Sequence, residues 1–407
     1  CALVAWDARG FAGFFYHPRM VAVVHLVTLG WISGSILGSF YIVGPLALRL
    51  TLPAGRADYL AFAGFAGGVA GLFGHLWTAS HAGMAWAAAL VAASMALVAG
   101  RALRALAASP LPWNARLPVT LAFANLLAAA LLGALLGVNK TRPFLPASHL
   151  DLVFAHAHLA AVGWAMLMVF GVGYRLLPMV LPAAMPGGPW TYASTVLLQC
   201  GLLGIVAAFF REGRGLLPAA ALTVAGIAAF FTRVAWMLRH RRPAPRELRR
   251  PDWAVAHAMA AFLGLIGASV LGLWLAAVEP SELSMRLVPA YATLGLIGFL
   301  SQIVVGMEGR LFPLFAWLWG FADSGHAVLP PSLHQAPPRP LQALGFLLWV
   351  AGVPLLAAGL AREADLATAV GAGALCAAAV GNTVVVALVL RRLWRQLPME
   401  EGRSRPN

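Results

Sequence analysis

Apolar residues in this chain come in unbroken runs of about twenty, separated by short clusters of arginine, proline and glycine. At 1.5 Å of rise per residue, a helix of that length crosses a hydrocarbon core of about 30 Å. The runs are continuous rather than alternating, so they predict helices and not the strands of an outer-membrane barrel. Eleven spans are expected, near 20–48, 57–80, 82–106, 116–138, 152–180, 190–211, 215–238, 253–278, 286–316, 341–361 and 367–392. Breaks fall at Pro110-Leu111-Pro112, at Pro186-Gly187-Gly188-Pro189 and between Pro330 and Pro340. The longest irregular connection is expected from Gly320 to Arg339. The predicted fold class is all-α, a polytopic transmembrane helical bundle forming a single transmembrane domain over 1–407.

The apolar pattern also repeats. His25, Gly30, Gly38 and Pro45 in the first span share one spacing with His158, Gly163, Gly171 and Pro178 in the fifth, and with Thr293, Gly298, Gly306 and Pro313 in the ninth. Trp follows the first glycine in two of the three, as Trp31 and Trp164. The prolines lie 133 and 135 residues apart, which is four helices per repeat. The chain therefore reads as three pseudo-repeats of four helices, about 17–140, 150–280 and 286–395, the last one a helix short. Shared small residues suit close helix–helix or helix–ligand approach.

Composition agrees: 61% of the 407 residues are hydrophobic and 10% charged, against roughly 25% charged in a soluble domain. The 28 Lys and Arg outnumber the 14 Asp and Glu. In a chain this apolar the excess marks loops facing an anionic bilayer, and nucleic acid is not an expected partner. With alternating spans, 20 of the 28 basic residues fall on one side, including the Arg239 to Arg250 cluster and the Arg391 to Arg405 tail. The positive-inside rule makes that side cytoplasmic, with the first residues outside. A multi-pass protein of the cell's inner membrane is expected. Cys1, Cys200 and Cys376 are far apart and form no metal spacing. Cys1 stands where an initiator Met would, so a preceding segment is expected.

Histidine is costly inside a bilayer and usually functional there. Of the eleven, His240, His326 and His334 fall in polar loops, and His257 opens the eighth span. The other seven, His17, His25, His75, His81, His149, His156 and His158, all fall near the outer face. His17 and His149 read as interfacial. His25 and His158 lie at the same repeat position, each roughly 8–9 Å into its span. Two neutral imidazoles from facing helices are what a six-coordinate haem iron takes, and Trp31 and Trp164 would flank such a ring. His156 projects about 200° round the helix from His158 and must serve another space, where a second haem or a metal would sit. His75 and His81 are candidates for further ligands there.

The stretch Phe154-Ala155-His156-Ala157-His158, with Gly163-Trp164 and Gly171 through Arg175 to Pro178, resembles a helix of the haem–copper oxidase main subunit. That resemblance implies a His-x-His helix holding two haems, His158 ligating a low-spin haem b and His156 a high-spin one. His25, followed by Gly38, Tyr41 and Pro45, is similar to the helix giving the second low-spin ligand. It further implies twelve helices in three repeats, and adds Arg175 to the cofactor-binding candidates. The His-x-His helix comes fifth here and late in the oxidases, and no three-histidine copper site is present, so copper is not expected. Small NnrS-like membrane proteins linked to nitric oxide offer an equally good comparison.

The first expectation is thus a membrane-bound b-type haem protein for electron transfer or for binding or reducing O2 or NO, an oxidoreductase if it turns over. A cytochrome or a quinol would donate electrons, and other membrane subunits are candidate partners. The second is a cofactor-free transporter or assembly subunit keeping the fold, since Thr293 vacates the histidine position of the third repeat. Gln302 and Glu308 lie within the bilayer on that ninth span, Glu308 as an ion-pair partner or as a proton relay.

Overall fold

A computed structural model describes residues 1–188, 190–243, 250–321 and 338–395. The expected loop histidines His326 and His334, the connection from 322 to 337, parts of the Arg239–Arg250 cluster and the tail beyond 395 lie outside them. Among the described residues, eleven helices are long and apolar enough to cross a membrane: α1 Pro18–Leu48, α2 Arg56–Trp77, α3 His81–Ala108, α4 Trp113–Asn139, α5 His149–Val180, α6 Trp190–Phe209, α7 Leu216–Arg239, α8 Trp253–Ala277, α9 Glu282–Ala316, α10 Arg339–Ala361 and α11 Asp365–Arg391. Two short helices, Ala2–Trp6 and Ala8–Phe11, precede them. The chain is an all-α, multi-pass membrane protein.

The ends lie a few residues beyond the apolar runs where polar residues close the first turn. Ser148 accepts from the Asp151 amide to start α5, and Ser281 accepts from Ser284 to start α9. His17 caps α1 through the Met20 amide. The α6–α7 turn needs glycine, because Gly213 and Gly215 take φ of +82° and +86°.

Large apolar side chains stand outward along the helices, among them Trp86, Leu131, Leu263, Val270 and Leu347. In water such a surface would be unstable; lipid is its solvent.

By internal contacts the chain forms two compact units. One comprises Gly13–Pro243 with Ile266–Leu296, the other the described residues of Cys1–Ala12, Ala244–Leu265 and Ile297–Asn407. Helices α8 and α9 run through both. In the first unit each helix from α1 to α7 packs on the next along the chain or on a near neighbour: α1 on α2 and α5, α4 on α3 and α5, α6 on α5 and α7. Trp164 and Phe123, 1% and 0% exposed, centre the α4–α5 contact at 5.3 Å. In the second unit α11 packs against α10, α9 and the short N-terminal helices.

Three helices share one irregularity. The backbone widens to π-helical geometry over Leu26–Ser33 in α1, Leu159–Met166 in α5 and Thr293–Ser301 in α9. The first two segments begin directly after His25 and His158, and the third begins at Thr293. Each contains the first shared glycine, Gly30, Gly163 or Gly298. π-Turns are rare and recur near functional sites.

Candidate functional site

His25 lies seven residues into α1 and His156 and His158 seven and nine residues into α5, so all three sit roughly 10–14 Å along their helices. Each imidazole is held at Nδ1 by a backbone carbonyl. His25 donates to Val21 at 2.8 Å and His158 to Phe154 at 2.8 Å, both one turn back on their own helices. His156 donates across to Ala129 of α4 at 2.9 Å. A carbonyl can only accept, so Nδ1 carries the proton and Nε2 carries the lone pair in all three neutral rings. Metal-bound histidines have this arrangement, with the distal nitrogen tied to a carbonyl.

The rings pair differently from the sequence expectation. His25 lies beside His156, with ring centroids 6.2 Å apart and planes 18° from parallel. Two imidazoles binding one metal from opposite sides at about 2.0–2.1 Å put their centroids roughly 6.3 Å apart. The observed centroid spacing is close to that value. His158 faces Tyr291 of α9 instead, with centroids 6.1 Å apart. The Tyr291 hydroxyl lies 3.2 Å from Nε2 and donates to its lone pair. Tyr291 escaped the sequence reading; it stands two residues before Thr293, as His156 stands two before His158. The separation of His156 and His158 into different spaces does appear, one against α4 and the other against Tyr291 and Phe209.

Glycine fits both kinds of contact around these rings. A side chain at Gly133 of α4 would come within 2.7 Å of the His156 ring, so that glycine admits it. Gly163 instead faces protein. A Cβ there would meet Leu202 at 2.7 Å and Asn125 at 2.8 Å, which leaves no room for a macrocycle at that point. The Gly163 carbonyl accepts from Asn125 Nδ2 at 3.2 Å, and Asn125 exchanges amide bonds with Gln199 of α6 at 2.8 and 3.3 Å. Gly30 is exposed and has only ordinary contacts.

The tryptophans divide likewise. Trp164 is buried, its N–H bonded to Ser33 of α1 at 3.1 Å, so it joins helices rather than flanking a ligand. Trp31 is half-buried, and its indole N–H is buried without a partner. Arg175 is half-buried with its Nε also unpartnered.

His75 in the last turn of α2 lies against Gly83 in the first turn of α3, and His81 is exposed at the start of α3. Among the described residues no three His, Cys, Asp or Glu side chains gather to hold a metal ion.

Outside the spans, Tyr16 shares a 2.6 Å hydrogen bond with His149, and Lys140 lies over its ring at 5.3 Å. Burial pushes the Tyr16 phenol up to about 12 and the Lys140 ammonium down. No protein-family model and no curated protein matches the chain.

Proposed function

We propose that this chain is a multi-pass inner-membrane b-type haem protein of the haem–copper oxidase type, serving electron transfer or the binding of a small gas ligand. The observation that carries the reading is the histidine set. His25, His156 and His158 lie at one depth, each with Nδ1 tied to a carbonyl and Nε2 left basic, and two of the rings stand at metal-sharing distance. His25 would be one of the residues that hold the haem. Ring position favours His156 as its partner, whereas the family resemblance favours His158. Bound haem supplies a one-electron carrier, and a gas site where an axial position stays open.

The chain's own residues hold the imidazoles in the ligating tautomer and exclude water with Phe154, Phe209 and the α4 wall. Tyr291 holds a hydroxyl proton on His158 Nε2 and would have to turn aside for that nitrogen to bind iron. Electrons would come from a cytochrome or quinol, and the arginine-rich side would face the cytoplasm.

Oxidised and reduced visible spectra of the purified protein test this. A low-spin haem b spectrum is expected, abolished by His25→Ala. Loss of the same signal in His156→Ala supports the ring pairing; loss only in His158→Ala supports the family pairing. Absence of any Soret band after haem supplementation refutes the haem reading and leaves a cofactor-free transporter or assembly subunit.

A further inference from the structure

The second unit contains a cavity of about 40 Å³ lined from four helices, and the polar groups on its wall are unusual for a bilayer interior. Helix α8 contributes Trp253 and His257, α9 Glu308, α10 Gln342 and α11 Asn382. His257 is 6% exposed. Its Nδ1 and the indole N–H of Trp253 are both buried without a partner. Buried polar atoms without a hydrogen bond are rare in native structures, so two of them on residues lining one cavity point to something that satisfies them.

The site is built. Gly306 lets α9 approach α8, since a Cβ there would lie 3.0 Å from the Ala254 carbonyl oxygen and 3.1 Å from the His257 Cβ. Phe346 of α10 meets the imidazole edge-on, with centroids 5.2 Å apart at 90°. Asn382 donates to Glu308 Oε2 at 2.8 Å.

Size and chemistry select the occupant. One water needs about 10–15 Å³, so two or three fit. A cation would find acceptors in Glu308, Gln342 and Asn382 but would leave the indole N–H, which can only donate, without a partner. An anion would meet the Glu308 carboxylate. Water satisfies the donors and the acceptor together.

We propose that the cavity is a proton-holding site, in which two or three waters bridge Glu308 to Nδ1 of His257 and the two groups exchange one proton. The Glu308 O–H bond breaks as an N–H bond forms on Nδ1, and the reverse step restores both. Nothing else is consumed. Asp252, just before α8, and Arg310 of α9 form a direct ion pair beside the site. The residues that α10 and α11 give to the wall are uncharged. The inference is independent of any haem.

Infrared difference spectra of the full chain in lipid, recorded across pH in H2O and D2O, test it. A protonated-carboxyl band that disappears as pH rises is expected, absent in Glu308→Gln. Its midpoint should move by about one pH unit in His257→Gln. Circular dichroism verifies that both variants fold, and Trp253→Phe supplies a milder perturbation that should shift the band frequency alone. A band that survives Glu308→Gln, a wild type without one, or a midpoint unmoved in His257→Gln overturns the proposal. So does a midpoint that follows sodium or potassium concentration, which would mean a cation site.

Discussion

Asn125→Leu removes a side chain of similar size and three hydrogen bonds in the lipid-embedded core. Asn125 is 5% exposed; it donates to the Gly163 carbonyl and trades amide bonds with Gln199. Interhelical hydrogen bonds in membranes average roughly 0.6 kcal/mol and reach about 1.7. Three of them lost, with the Gln199 amide and a carbonyl left unpaired, predicts about 2–3 kcal/mol of destabilisation. Unfolding in mixed micelles, followed by helicity, measures it. The structural reasoning also fixes the double mutant. If stranded partners carry the cost, Asn125→Leu with Gln199→Leu should be more stable than the sum of the single effects by about 1 kcal/mol. Strict additivity, or a single-mutant loss under about 0.5 kcal/mol, refutes the network.

Two further outcomes follow from the ends of the helices. Because burial lifts the Tyr16 phenol above its usual 10, to about 12, its contribution to stability is complete below pH 10 and is lost as pH rises towards 12. A phenolate absorbance titration of wild type minus Tyr16→Phe should place that ionisation near 12, and a midpoint near 10 counters the burial argument. A reporter fused at the C-terminus and active only after export should stay silent, from the 20 to 8 split of basic residues. An active fusion would invert the topology.

The spans were legible because twenty apolar residues in a row have one solution in lipid. Their ends were less so: His149 and Glu282 are polar, yet Ser148 and Ser281 cap them into helices. Histidine depth was legible too, since rise per residue fixes it. So was the angle between His156 and His158, which belongs to one helix. The neighbour of His25 was not, because a wheel drawn on α1 carries no information about its rotation against α5. Gly163 misled for a related reason: a small residue announces close approach without saying whether a ligand or Asn125 approaches. The cavity at His257 gathers groups from four helices, and only His257 and Glu308 stood out along the chain.

The widened segments in α1, α5 and α9 give each helix an adjustable joint. A π-turn holds one residue more than the α-turn it replaces, so deleting a single residue within Leu26–Ser33 would be absorbed as ordinary α-helix rather than breaking the span. Because the widened turn is what accommodates the extra residue, the end carrying His25 and the half carrying Gly38 and Pro45 would keep their rotation about the axis relative to each other. The far half is anchored by Phe40, which meets Phe123 edge-on at 5.0 Å. Loss of one codon there would therefore alter the turn that follows His25 while leaving that anchored packing in place.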